Sequence, residues 1–180
     1  MLYSTRCTSP LGPITLASDG KNIIGLWIDG QKYFAASVKE HIVKNHDLPI
    51  FDKAKKWLLA YFAGEKTAIS DLPLAPVNGS EFRNAVWNIL CEIPYGQYTT
   101  YGDIAKKIAV RMNKKTMSSQ AVGGAVGHNP ISIIIPCHRV VGSNGSLTGY
   151  AGGINKKIKL LELEGVDMSR LFIPNKSTAL

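Results

Sequence analysis

The sequence predicts an α/β protein in two parts: a small antiparallel sheet with helices over residues 1–75, then a mostly helical domain with a helix-turn-helix over 80–170. Three observations predict it. Between Leu2 and Ile28, extended segments alternate with the turn signals Ser9-Pro-Leu-Gly12 and Ser18-Asp-Gly20, the pattern of an antiparallel meander. Asp71-Leu-Pro-Leu-Ala-Pro-Val-Asn-Gly79 carries two prolines and a glycine without periodicity and reads as a linker. Beyond it, apolar residues recur at helical spacing in several short segments. With 180 residues, 45% hydrophobic and 19% charged, the chain is long enough to bury a core in one large domain or two small ones.

After the meander, residues 34–47 read as a helix. Asp52 to Tyr61 read as another, with Ala54, Trp57, Leu58 and Tyr61 on one face and Gly64 as its stop. That spacing assigns Trp57 to the core. Ser80 is placed to cap a helix from Glu81 to Cys91, whose Phe82, Val86, Trp87 and Leu90 share one side, and Cys91 reads as a structural thiol. Pro94-Tyr-Gly96 breaks the chain. Thr99-Thr-Tyr-Gly102 starts a second helix through Val110, and a polar connection over Arg111 to Lys115 leads to a third, Met117 to Gly127. Two short helices so joined suggest a helix-turn-helix. Gly123 and Gly124 should each cost about 1 kcal/mol relative to alanine inside a helix. Small residues there permit close backbone approach, and Ser118, Ser119, Ala121, Gly123 and Ala125 offer a slim surface that could enter a DNA groove.

Ile131-Ser-Ile-Ile-Ile-Pro-Cys-His-Arg-Val-Val141 reads as the reaction centre. Ser132 to Ile135 is expected to be a short buried extended segment, since Ile prefers the β region and the Asn129-Pro130 breaker precedes it. Pro136 has no N–H for a ladder and should end it, delivering Cys137 and His138 at a bend. A cysteine reacts as its thiolate, and a neighbouring imidazole or cation can lower its pKa from the free value of about 8.5. Burying a thiol, an imidazole and a guanidinium in succession without a task would carry a large desolvation cost. Next come a turn at Gly142-Ser-Asn-Gly-Ser146, a glycine-rich loop from Leu147 to Gly153, and a last helix capped by Asn155 and running to Glu164, with Gly165 as its stop. The helix dipole disfavours a carboxylate in the last turn, so Glu164 is either an ordinary exposed residue or one held there to orient His138.

The formal charge is +8. Up to Ser80 the chain has 9 Lys+Arg against 7 Asp+Glu, and beyond it 12 against 6, so the basic excess sits in the C-terminal part. That asymmetry suits a polyanion such as DNA. Cys7, Cys91 and Cys137 form no Cys-x-x-Cys spacing, and the N-terminus lacks the pattern of a signal peptide, which leads to the expectation of a reduced, cytoplasmic protein. No apolar run approaches the roughly 20 residues needed to span a bilayer. His41, His46, His128 and His138 with the three cysteines give no tetrahedral zinc spacing, so no metal and no cofactor are expected.

Pro136-Cys137-His138-Arg139-Val140 resembles the active-site signature of the O6-alkylguanine-DNA alkyltransferases, the methylated-DNA–protein-cysteine methyltransferases. The likeness extends from about Phe82 to Gly165 and takes in Ala121-Val-Gly-Gly-Ala125, the Asn129-Pro130 turn and Gly149-Tyr-Ala-Gly-Gly153. It implies a ribonuclease H-like N-terminal domain, a winged-helix-like C-terminal domain, and a monomer acting on double-stranded DNA that contains alkylated guanine. By that resemblance the protein repairs O6-alkylguanine, and O4-alkylthymine as well, by a single irreversible alkyl transfer to Cys137 after flipping the base out of the duplex. His138, held by Glu164, generates the thiolate through water, and Tyr101 protonates guanine N3. Asn129 braces the turn. The carbonyls of Cys137 and Val140 read the exocyclic amine, the Ala151 amide reaches O6, and Tyr150, Val126 and Pro136 line the pocket. Ser118, Ser119, Gln120, Ala121, Gly123 and Tyr101 face DNA. Many members have arginine just before Ala-Val-Gly-Gly to fill the gap left by the flipped base. Here it is Gln120, which can still intercalate but brings no charge.

Two other classes fit less well. A Cys-His hydrolase needs a third orienting group and an oxyanion hole, and its His usually comes from far along the chain. A DNA-binding module without catalysis, similar to the alkyltransferase-like proteins, would have tryptophan where this chain has Cys137.

Overall fold

The structure is a computed structural model that describes residues 1–36, 38 and 42–175. The chain divides into two units: Met1–Asn78 together with Pro130–Ile134, and Gly79–Asn129 together with Ile135 onward.

In the first unit β1 (Leu2–Cys7), β2 (Ile14–Ser18) and β3 (Ile23–Ile28) form the expected antiparallel meander, in register at Cys7↔Ile14 and Thr15↔Trp27. Every residue of β3 is buried. A Cβ on Gly25 would fall 2.0 Å from the Trp27 ring, so the indole is in place only because residue 25 has no side chain. The helix expected over 34–47 is corrected. Residues 34–36 are a turn, with Ala35 at φ 52°, and Ile42–Lys44 form β4, which adds to the sheet parallel to β1 at Leu2↔Ile42; residues 37 and 39–41 lie outside the described residues. Pairing with an open sheet edge overrides a weak local helical pattern. α1 (Pro49–Phe62) follows. It starts on a proline, whose missing N–H is not needed there, and buries Phe51, Ala54, Trp57, Leu58 and Tyr61. Trp57 is core, as its spacing implied: its ring stacks on Tyr61 at 5.4 Å and its Nε1–H donates to the Ala68 carbonyl at 2.8 Å.

The largest departure lies at Ser132–Ile135, where the extended segment is replaced by a turn. Ile131 makes one parallel bridge to Leu26, with Leu26 N–H on the Pro130 carbonyl at 2.9 Å and Ser132 N–H on the Leu26 carbonyl at 3.0 Å. The chain then reverses through Ile133 at φ 70°. A β-branched residue in the left-handed region is strained by roughly 1–3 kcal/mol, and here it is over-determined by burial on every side, with residues 131–135 each 2% exposed or less.

In the second unit α2 (Glu81–Cys91) begins where expected, the Ser80 hydroxyl accepting from the Arg83 N–H at 3.2 Å. α3 (Tyr101–Arg111) is capped by Thr100, which belongs to β5 (Thr99–Thr100), and α4 (Ser119–Gly127) is capped by Ser118. α3 packs on α4 and both pack on α2, where the Trp87 Nε1–H donates to the Ala125 carbonyl at 2.9 Å. Two parts of the reading of α4 are corrected. Gly123 and Ala125 are buried rather than presented to solvent, and a Cβ on Gly124 would meet nothing within 4 Å among the described residues, so no close approach requires that glycine. β6 (Val140–Val141) pairs parallel with β5. α5 (Ile154–Leu163) is preceded by Gly153 at φ 91°, not capped by Asn155, which is exposed inside its first turn. Its apolar face joins Val141, Leu147 and Val166 through Leu161. No described helix is long and apolar enough to cross a membrane.

Candidate active site

Pro136 at ψ 63° turns the chain into one 3-10 turn, Cys137–Arg139, which runs directly into β6. The pairing of β6 with β5 fixes this turn against the start of α3, which carries Tyr101. The turn is braced from inside: the Asn129 side-chain amide donates to the Ile135 carbonyl at 2.8 Å and also hydrogen-bonds Cys137, while the Cys137 N–H donates to the same Ile135 carbonyl at 2.8 Å.

Cys137 is 3% exposed. Burial raises its thiol pKa, and the Asn129 hydrogen bond and the Lys157 charge pull against that rise without cancelling it. The expected lowering by the neighbouring imidazole is therefore corrected. The resting group is a neutral thiol, and a base must take its proton when it reacts.

His138 is fully buried, and its Nε2 lies 2.7 Å from Glu164 Oε1. Glu164 is 5% exposed and is no ordinary surface residue. Arg139 holds both of its oxygens, Nε to Oε2 at 2.8 Å and Nη2 to Oε1 at 3.0 Å, and the Gly96 N–H adds 3.2 Å to Oε2. Arg139 Nη1 donates to the Ile93 carbonyl at 2.6 Å, and its guanidinium lies 5.7 Å from the Tyr95 ring centroid. Burial would raise the Glu164 carboxyl, but the hydrogen bonds and charges of His138 and Arg139 outweigh it and hold the group at about 2. His138 is pushed down by burial despite the carboxylate beside it. At neutral pH an ionised Glu164 thus faces a neutral imidazole. A carboxylate can only accept, so the proton sits on Nε2 and the lone pair is on Nδ1.

Tyr101 donates to the Thr148 carbonyl at 3.1 Å and to the Gly149 carbonyl at 3.4 Å, and burial raises its pKa, keeping the phenol protonated. The Tyr150 ring meets His138 edge-on at 6.5 Å, and its buried hydroxyl has no hydrogen-bond partner among the described residues. Val140, Val126 and Pro136 are buried, and Ala151 is partly exposed in the loop. Ser118, Ser119, Gln120 and Ala121 are exposed at the start of α4. A cleft of 270 Å³ is lined by Ser119, Gln120 and Gly123 of α4, by Tyr101 and Gly102 of α3, and by Thr148.

Sequence reasoning missed three groups: Arg139 as the clamp on Glu164, Gly96 as a donor to it, and Lys157. Lys157 is fully buried on α5, its Nζ 2.5 Å from the Val140 carbonyl and 2.6 Å from the Thr148 carbonyl. A signal was present, because Lys157, Leu160, Leu161 and Glu164 fall at i, i+3, i+4, i+7, and two charges within an apolar stripe imply a buried task. No group of three or more His, Cys, Asp or Glu among the described residues is placed to hold a metal ion.

Residues 81–166 match the family described as 6-O-methylguanine DNA methyltransferase, DNA binding domain, and residues 1–76 its ribonuclease-like domain. The chain is 44% identical over 165 residues to the methylated-DNA–protein-cysteine methyltransferase of Haemophilus influenzae, covering 92% of this chain and 87% of that one. It is 47% identical to that of Methanosarcina acetivorans, covering 91% and 99%. Among solved structures it is similar to Mycobacterium tuberculosis OGT in complex with DNA, with a TM-score of 0.79 and 42% identity over 94% of each chain. An O6-methylguanine-DNA methyltransferase from Pyrococcus kodakaraensis gives 0.64 at 26% identity, over 92% of this chain and 100% of that one. With both domains matched and identity above two fifths across nine tenths of its length, this chain belongs to the methylated-DNA–protein-cysteine methyltransferase family.

Proposed function

We propose that this protein repairs O6-alkylguanine in duplex DNA by moving the alkyl group onto Cys137, once per molecule. The observation that carries the reading is the buried chain Cys137, His138, Glu164, Arg139: a nucleophile beside a neutral imidazole whose far nitrogen is fixed on an ionised carboxylate. That arrangement suits deprotonation of a thiol and stabilisation of the imidazolium it produces. His138 takes the proton through water, the Cys137 sulfur bonds to the alkyl carbon as the bond from that carbon to O6 breaks, and the electron pair passes into the purine. Tyr101 protonates N3 of the leaving guanine. The thioether is stable, which makes the transfer irreversible.

The target atom lies within the duplex, so the base enters the pocket flipped, at a cost of a few kcal/mol repaid by contacts. Exposed Ser118, Ser119, Gln120 and Ala121 at the start of α4, beside the cleft reaching Tyr101, support groove entry by this helix. The backbone of Cys137, Val140 and Ala151 recognises the guanine edge, Asn129 braces the turn, and Tyr150, Val126 and Pro136 line the pocket. The same chemistry extends to O4-alkylthymine, and the protein acts as a cytoplasmic monomer without cofactor.

The test is the intact mass and peptide map after incubation with an O6-methylguanine duplex. One methyl increment on the Cys137 peptide, with loss of the lesion limited to one per protein, is the expected result. A methyl on Cys7 or Cys91, repair by Cys137→Ala, or multiple turnover overturns the assignment.

A further inference from the structure

We propose that Lys157 is a positioning residue for the transfer: its buried ammonium ties the Val140 and Thr148 carbonyls together behind the Cys137 turn and supplies the positive charge against which the thiolate forms. The inference rests on Cys137 being the alkyl acceptor and goes beyond it.

Three observations converge. Lys157 has no exposure at all, yet among the described residues no carboxylate pairs with it; its ammonium donates to two main-chain carbonyls, Val140 at 2.5 Å and Thr148 at 2.6 Å. These carbonyls lie on the two segments that flank Cys137, one at the end of its turn and the other in the glycine-rich loop that leads to Tyr150 and Ala151. Thr148 also accepts from the Tyr101 hydroxyl at 3.1 Å, so Lys157 still holds the loop when Tyr101 turns to another acceptor. Keeping an ammonium in this place opposes its charged state: burial lowers Lys157 to about 8, and only Cys137 pulls it back up. A methionine would fill the same space without that opposition, so the charge calls for another use.

The other groups facing Cys137 give no equivalent charge. Asn129 is a neutral hydrogen-bond partner, Tyr101 and Tyr150 are phenols that burial keeps neutral, His138 is neutral, and the Arg139 charge is engaged by Glu164. When the proton leaves Cys137, Lys157 is the cation that opposes the new negative charge, and the Cys137 and Lys157 titrations belong to a coupled pair.

The full chain is compared as parent, Lys157→Arg, which keeps charge and donors, and Lys157→Gln, which keeps donors alone. Two readouts are the single-turnover rate on free O6-benzylguanine and the pH midpoint of Cys137 carbamidomethylation, resolved from Cys7 and Cys91 by peptide mapping. We expect Lys157→Gln to slow benzyl transfer at least tenfold and to move the midpoint up by about one pH unit, with Lys157→Arg recovering most of both. A folded Lys157→Gln with the parent midpoint, or an arginine variant as impaired as the glutamine one, overturns the proposal. Should neither variant fold, the 13Cε titration of Lys157 in uniformly labelled protein decides: its midpoint must be lower in Cys137→Ser than in the parent, and equal midpoints overturn the coupling. Failure of the parent itself to accept a benzyl group strikes the acceptor assignment instead, and the titrations still decide the pairing of Lys157 with Cys137.

Discussion

Arg139 and Glu164 form a buried two-pronged ion pair, Nε on Oε2 at 2.8 Å and Nη2 on Oε1 at 3.0 Å, and the same Oε1 stands 2.7 Å from His138 Nε2. The carboxylate at the C-terminal end of α5 therefore owes its ionisation to His138 and to a cation two residues beyond the nucleophile. Orientation of the imidazole and the charge state of its partner are set by one contact, so chemistry and stability are linked through it.

Glu164→Gln keeps the volume but removes the charge that fixes the Nε2–H tautomer. The single-turnover rate on a methylated duplex should fall at least tenfold, within the range that general base catalysis contributes, while the affinity for the same duplex stays within twofold. Stopped mixing followed by mass analysis gives the rate, and fluorescence anisotropy the affinity. An unchanged rate removes Glu164 from the relay.

Arg139→Met should be more damaging to the fold than to any single contact. It leaves an ionised carboxylate buried with less compensation, a loss of roughly 3–5 kcal/mol for breaking one side of such a pair. Urea unfolding of the parent and the variant measures it, and a loss below about 1 kcal/mol would show that the pair is solvated in solution.

Acid should act on this cluster with a definite sign. Glu164 is held below its ordinary 4.5, at about 2, so its contribution is complete above 4.5 and is lost as pH falls towards 2. His138 is lowered from 6.5 by burial, so the folded state favours the neutral ring, and that contribution is complete above 6.5 and declines as pH falls below it. Both give stability that decreases with acid. The melting temperature should be lost in steps below pH 6.5 and again below 4.5, and Glu164→Gln should remove the lower step. Transfer should show its acid limb below 6.5, and a limb centred at or above 6.5 would contradict a lowered His138.

Much of this was legible before the structure because local rules and tertiary packing agreed. Ser80 is a good cap, Phe82 to Leu90 are spaced for one face, and α2 begins and ends as read. The errors mark places where distant partners decide. Ile133 to Ile135 look extended residue by residue, yet hydrogen bonds between Leu26 and the 130–132 segment force the reversal at Ile133, and nothing local announces it. Residues 42–44 are too few to declare a strand until β1 offers its edge. At the site the signature residues were readable, but that Arg139 and Lys157 turn inward depends on α5 packing behind the turn, a relation between residues 17 and 25 positions apart.

Gly96→Ala tests the least visible support of the carboxylate. Gly96 sits at φ 78°, where a side chain is strained, and an added Cβ would meet the Glu164 carbonyl at 3.0 Å while its N–H donates to Glu164 Oε2 at 3.2 Å. A loss of about 1–3 kcal/mol in urea unfolding is expected, with a slower transfer because Glu164 shifts. Full stability and full rate together would show that the Gly96 contact is not needed.

Gln120 is exposed in the first turn of α4 and lines the cleft that reaches Tyr101. Arginine there is longer, cationic and able to stack, so Gln120→Arg should bind lesion duplex more tightly and with a steeper salt dependence, the slope rising by up to about 0.9 for one more neutralised phosphate. Gln120→Ala should do the reverse, since a methyl group cannot occupy the space a flipped base leaves. Comparing single-turnover rates on duplex and on free O6-benzylguanine separates the steps, because only the duplex requires flipping while both substrates require the same thiolate. The alanine variant should be slower on duplex and unchanged on the free base. If it reacts with duplex as fast as the parent, another residue fills the gap, or the start of α4 stays outside the groove.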